Sequence, residues 1–154
     1  MIDEGKKAPA VSLKDQDGKK VSLNDFKGKN IILYFYPKDN TSGCTKEACN
    51  FRDDFPDFKK LKAVILGISP DSVESHKKFS DKYELPFSLL SDEKKQVHEK
   101  YGVWKEKSMY GRKYMGVERS TFIIDKTGKV RKFFRKVKVA DHIKEVMEAL
   151  KELK

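Results

Sequence analysis

Two nearly continuous apolar runs, NIILYFY (Asn30 to Tyr36) and AVILGIS (Ala63 to Ser69), constrain this 154-residue chain more than any other feature. Neither alternates between apolar and polar residues, so each reads as a strand buried on both faces, as in a largely parallel sheet covered by helices. Parallel neighbours cannot be joined by a tight turn. The stretch between the runs is long enough for a helical crossover, and the segment therefore predicts a β-α-β unit.

The remaining elements follow from weaker signals. APAVSL and KKVSL flank the turn KDQDG and predict an N-terminal β-hairpin. Helical patterns cover Ser72 to Tyr83 and Lys94 to Gly102. STFIID and KVRKFF surround the turn KTG as a second hairpin, and an amphipathic helix begins near Asp141, with Ile143, Val146, Met147 and Leu150 on one face. This order predicts a single α/β domain over residues 1–154 with a thioredoxin-like outline: a central mixed β-sheet flanked by helices, with an N-terminal β-hairpin.

Charge enters the argument because Lys and Arg exceed Asp and Glu by 10. The basic residues recur along the whole chain and interleave with acids, as in SDEKKQVHEK, which reads as a solvated helical face. The densest basic piece, RKFFRKVK (Arg131 to Lys138), holds Phe133 and Phe134, whose side chains point to opposite faces of a strand. No nucleic-acid partner is expected from that pattern. No apolar run approaches the roughly 20 residues of a membrane span, and the N-terminus lacks a signal-peptide core, so a cytoplasmic protein without a membrane partner is expected.

In a reducing compartment a close cysteine pair points to catalysis or redox sensing more than to a permanent crosslink. The two cysteines, Cys44 and Cys49, lie in YFYPKDNTSGCTKEACNF. Pro37 ends the first buried strand, and KDNTSG is turn-rich. Thr41 or Ser42 is the candidate helix N-cap, which places Cys44 in the first turn, beside free backbone N–H groups and the positive end of the helix dipole. Both favour thiolate over thiol. Complete ionisation of an ordinary thiol gains only about thirtyfold at neutral pH, roughly 2 kcal/mol. Larger acceleration needs donors around the charge that develops on a leaving oxygen. Thr41 is one candidate, and a cation brought from elsewhere in the fold is another.

If Cys44 through Cys49 is helical, the two Cα atoms stand roughly 8 to 9 Å apart, whereas a disulfide needs about 4.4 to 6.8 Å. The spacing therefore predicts two states: a helical reduced state, and an oxidised state in which the first turns are remodelled. A metal site is not expected, because His76, His98 and His142 are scattered singly and each reads as a surface or helix residue.

YPKDNTSGCTKEAC resembles the active-site signature of the peroxiredoxins, Pro-x-x-x-Thr-x-x-Cys, on Pro37, Thr41 and Cys44. A second cysteine five positions on is similar to the bacterioferritin comigratory protein group, also called peroxiredoxin Q. The likeness extends through LPFSLLSD, YGVWKEK and ERSTFIID. It implies a thiol-dependent peroxidase acting on hydrogen peroxide and organic hydroperoxides. Cys44 would be the peroxidatic cysteine, and Cys49 would resolve its sulfenic acid as an intramolecular disulfide. A thioredoxin-type or other dithiol reductant would then recycle the pair. Arg119 matches the family's active-site arginine, and Glu47 an acid that orients it. Pro37 would shield the thiolate from water. No metal, haem, flavin or other cofactor is implied, and a monomer or weak dimer is expected.

Read without the resemblance, Arg119 pairs with nearby Glu118 or Asp125. Trp104, Met109, Tyr110 and Met115 are candidates for an apolar collar about the site. The rival functions are a thiol-disulfide exchange protein using the same pair, and a basic redox-sensing binding or chaperone-like protein.

Overall fold

The computed structural model describes residues 2–153. The two apolar runs form β3 (Asn30–Phe35) and β4 (Ala63–Ser69), which pair in parallel from Asn30 opposite Ala63 to Phe35 opposite Ile68. The crossover between them is two helices rather than one, α1 (Ser42–Asp53) and α2 (Phe55–Lys60). Pro56 in the first turn of α2 explains the break, since proline inside a continuous helix would remove a backbone bond and clash with the preceding turn.

The N-terminal hairpin, β1 (Ser12–Lys14) and β2 (Lys20–Ser22), forms as expected and joins the edge of β5 (Ser88–Ser91). β5 is a short strand hidden inside LPFSLLSD, and it extends the parallel pairing beyond β4. On the other side β8 (Ser120–Ile124) runs antiparallel to β3, and β9 (Val130–Phe134) completes the seven-stranded order β2-β1-β5-β4-β3-β8-β9. The sheet is therefore mixed, with a parallel centre and antiparallel flanks.

Helix α3 (Val73–Tyr83) is capped by Ser72, whose side chain accepts the Ser75 N–H. Helices α4 (Gln96–Lys100) and α5 (His142–Lys151) fall within the predicted segments. A separate two-stranded ribbon, β6 (Trp104–Met109) with β7 (Arg112–Val117), was not predicted.

Alternate side chains of β3 feed two cores. Ile32, Tyr34 and Tyr36 pack with Cys44, Ala48 and Phe51 of α1 and with residues of α5. Ile31, Leu33 and Phe35 pack on the opposite face with Val97, Tyr101 and Phe122. Phe133 and Phe134 divide between these faces in the same way, as the two-residue strand period requires. β3 thus runs through the middle of both layers, and the chain that leaves its C-terminal end carries the cysteines.

Candidate active site

Helix α1 begins where the hydroxyl-rich turn predicts. Thr41 is its N-cap in extended conformation, and the first helical bond runs from Thr45 N–H to Thr41 C=O at 2.8 Å. Cys44 is the third residue of the helix, so its own N–H and those of Ser42 and Gly43 lie ahead of that first bond, with no intrahelical carbonyl to meet. The Thr41 side chain does not cap the helix; its hydroxyl donates to Lys38 C=O at 2.9 Å.

The buried residues of α1 are Cys44, Glu47, Ala48 and Phe51, which a turn of 3.6 residues gathers on one face. Cys49 lies about 140° around the helix from Cys44, off that face, and is only half-buried. Both cysteines are free, and the helix is intact across both. The chain thus adopts the helical arrangement, for which ideal geometry puts the two Cα atoms roughly 8 to 9 Å apart.

Arg119 leads into β8 and reaches Cys44 because β8 pairs with β3 in the register Phe35 opposite Ser120. Its Nη2 donates to Cys44 Sγ at 3.2 Å, and its Nη1 donates to Glu47 Oε1 at 2.6 Å. The local alternatives fail. Glu118 pairs instead with Lys105 at 3.1 Å, and Asp125 with Arg131 at 3.4 Å. One guanidinium thus ties a buried sulfur to a buried carboxylate, three positions apart on α1.

Burial dominates Glu47, whose side chain is wholly inaccessible. Desolvation pushes its pKa up to about 7, with the Arg119 charge and hydrogen bond opposing. For Arg119 desolvation acts in the other direction, but Glu47 and Cys44 outweigh it and keep the guanidinium above its ordinary value. The centre therefore holds a fixed cation beside a carboxyl that changes charge near neutrality. Glu47 Oε2 and the neighbouring Tyr34 hydroxyl have no hydrogen-bond partner among the described residues.

Two glycines make room for this arrangement. A Cβ on Gly43 would stand 3.3 Å from Arg119 Nη2, and one on Gly67 would stand 2.9 Å from the Tyr34 ring. Neither was singled out from sequence. Gly43 did carry a signal, since glycine is a poor choice inside the first turn of a helix unless something must approach closely.

Beside Arg119 an open groove of about 620 Å³ is lined by Pro37, Lys105, Lys107, Arg119, Lys136 and Val137 among others. Pro37 is half-buried at its edge. The expected apolar collar is absent from this lining. Trp104 packs on the opposite core, its ring 6.4 Å from His98, while Tyr110 and Met115 are exposed on the β6-β7 ribbon; the Met109 side chain lies outside the described residues.

The histidines bear out the helix alternative of the sequence reading and correct the surface one. All three are on helices, but all are buried, His76 and His98 completely and His142 to 1% exposure. His98 bonds Asp92 at 2.6 Å and His142 bonds the Thr121 hydroxyl at 2.7 Å. His76 bonds Asp39 at 2.7 Å. Asp39, Asp71 and His76 each bring one atom of metal-ligand type within 4.8 Å of the others. Those atoms are engaged with hydrogens of Ser69, Ser75, the Asp39 N–H and one another, a set built for hydrogen bonding.

Comparison with known proteins supplies the family. Residues 4–133 match the AhpC/TSA family. The chain is 54% identical over 152 residues to peroxiredoxin Bcp of Bacillus subtilis (strain 168), covering 99% of this chain and 97% of that protein. It is 47% identical over 151 residues to peroxiredoxin Bcp of Escherichia coli (strain K12), covering 98% and 97%. A structure of the Xanthomonas campestris bacterioferritin comigratory protein, described for its alkyl peroxide reduction activity, matches with a TM-score of 0.88 at 43% identity, covering 92% of this chain and 90% of that one.

Proposed function

The chain belongs to the AhpC/TSA family, and from that premise we propose how it works as a thiol-dependent peroxidase of the peroxiredoxin Bcp and peroxiredoxin Q group. Cys44 is the peroxidatic residue. Its thiolate attacks the terminal oxygen of a hydroperoxide, an S–O bond forms as the O–O bond breaks, and the departing alkoxide or hydroxide takes a proton to leave as alcohol or water. Cys44 is left as a sulfenic acid.

The observation that carries this reading is the bridge from Cys44 Sγ through Arg119 to Glu47. Arg119 donates to the sulfur that must be anionic, and its guanidinium is placed to meet negative charge on the separating oxygens as well. Glu47 holds the guanidinium in orientation. Thr41 supplies a hydroxyl to the peroxide after releasing Lys38, and Pro37 keeps water from the sulfur.

Cys49 then attacks the sulfenic sulfur, expelling water and forming an intramolecular disulfide. The first turns of α1 must open for this, because an intact helix holds the Cα atoms roughly 8 to 9 Å apart. A dithiol reductant of thioredoxin type restores both thiols. In this reading the whole chain acts as one cytoplasmic domain. A monomer or weak dimer is favoured because the exposed large hydrophobics among the described residues, Tyr110, Tyr114 and Met115, are too few to build an extensive interface.

Rapid-mixing measurements of hydroperoxide consumption test the assignment. Cys44→Ser abolishes turnover, and full turnover by that variant would overturn the reading. Cys49→Ser completes one turnover and then stalls, leaving a sulfenic acid open to over-oxidation. Undiminished cycling with thioredoxin would remove Cys49 from the resolving role.

A further inference from the structure

Asp39 lies in the loop between β3 and α1 and is held more tightly than its neighbours. Its Oδ1 accepts the Tyr36 hydroxyl at 2.6 Å. Its Oδ2 accepts the Ser75 hydroxyl and meets His76 Nδ1, each at 2.7 Å. The backbone N–H donates to Asp71 at 2.8 Å, and Asp71 is itself fixed by the Ser69 hydroxyl at 2.6 Å. His76 Nε2 faces the Leu90 carbonyl at 3.0 Å. A carbonyl only accepts, so Nε2 carries a hydrogen, and the contact with Asp39 needs a second one. One loop residue is thus bonded to groups from the ends of β3 and β4 and from α3, with His76 bridging on to β5.

The chain loosens at the next residue. Asn40 is exposed and stands at φ 60°, a left-handed conformation that asparagine tolerates singly. Among the described residues its side chain meets Tyr83 and Lys82, at 3.2 and 3.4 Å on the surface. Thr41 is exposed as well, and its hydroxyl makes a single exposed bond, to the Lys38 carbonyl at 2.9 Å. The boundary between pinned and lightly held backbone falls between Asp39 and Asn40.

We infer that Asp39, locked by His76, is the fixed end of the segment that unwinds when Cys49 resolves Cys44, and so governs how readily the site opens. This rests on the assignment of Cys49 as the resolving thiol. Asp39 and His76 are positioning residues: neither touches the sulfur, and both act through the chain that carries it. With one end of the segment anchored, fewer open conformations are available, and the closed state keeps Cys44 against Arg119. Releasing the anchor favours opening, which speeds disulfide formation and shortens the life of the sulfenic acid.

The first test uses the parent protein alone. Amide exchange of the disulfide form, compared with the reduced form, shows lost protection beginning at Thr45, the first hydrogen-bonded amide of α1, while the Asp39 amide keeps its protection through Asp71. Loss of the Asp39 amide together with the rest overturns the inference. The second test compares disulfide formation with over-oxidation after a peroxide pulse, read by mass spectrometry as the ratio of the two products. Asp39→Asn and His76→Gln raise that ratio at least fivefold. Val130→Ala, a buried substitution on β9, lowers stability and leaves the ratio alone. A ratio within twofold of the parent in both lock variants, or an equal shift in Val130→Ala, overturns the inference. Absence of a Cys44–Cys49 disulfide in the oxidised parent instead removes the resolving assignment, and the inference falls with it.

Discussion

Tyr34 and Tyr36 lie two residues apart on one face of the sheet, each 1% exposed, with ring centroids 5.4 Å apart. Their hydroxyls differ in what they meet. Tyr36 donates to Asp39 at 2.6 Å, within a network in which the Asp39 carboxylate and both His76 nitrogens have partners. Tyr34 lies over Gly67 of β4 and its hydroxyl has no hydrogen-bond partner among the described residues, and the same holds for Glu47 Oε2 beside Arg119. Burial without a partner is costly, and fully satisfied buried networks rigidify the chain they join. The loop thus runs from a saturated anchor at Asp39 to an under-saturated centre at Cys44. The first holds position, and the second keeps a carboxyl poised near neutrality.

Arg119→Met is the severest way to break the reactive side of this contrast. It keeps the bulk of the side chain and removes the donors to Cys44 and Glu47. Losing one donor of this kind lowers a rate by roughly a hundred- to a thousandfold, about 3 to 4 kcal/mol. The second-order rate of Cys44 oxidation should fall by that much in stopped-flow measurements. A loss under tenfold would show that the helix start alone activates the sulfur.

Glu47→Gln probes the cost of the under-saturated carboxyl. Burial raises the Glu47 pKa from 4.5 to about 7. Between those values the folded chain keeps a proton that the unfolded chain has lost, so this group's contribution to stability falls as pH rises through the window, by up to about 3 kcal/mol. Glutamine does not titrate. Urea unfolding of the reduced protein at pH 5 and pH 8 should show the parent losing more stability than the variant, the gap approaching that figure. Parallel losses would mean that Glu47 is ionised throughout.

Sequence reasoning reached the frame of this site further than its joints. β3 and β4 were legible because unbroken apolar runs leave few alternatives, and Cys44 could be placed in the first turn from the residues before it. β5 offers only Leu89 and Leu90 as fully buried residues, too short a run to separate from a loop. Most of β7 is exposed, so the ribbon carried no hydrophobic period. Arg119 was assigned from resemblance alone, because its partner is 72 residues away and is delivered by the β3-β8 register. His76 could have been read better. With Phe79, Ser80 and Tyr83 it occupies the inward stripe of α3, and that spacing put a polar ring into the core. What such a ring must bond to depends on the Asp39 loop, which no periodicity describes.

The two tyrosines supply the mildest perturbation and the cleanest discrimination, since tyrosine to phenylalanine deletes one oxygen and leaves the ring. Tyr36→Phe removes a hydrogen bond to a charged acceptor and leaves Asp39 one donor short, which should cost about 1.5 to 3 kcal/mol. Tyr34→Phe removes a hydroxyl that bonds nothing among the described residues, so stability should stay within about 0.5 kcal/mol of the parent or rise. Both rings are packed against the same core cluster, so altered packing would affect the two alike and cancel in the comparison. Urea midpoints at one pH, with unchanged slopes, measure the difference directly. Equal losses at the two positions would mean that the Tyr34 hydroxyl is as well satisfied as that of Tyr36, and the contrast between anchor and reactive centre would disappear.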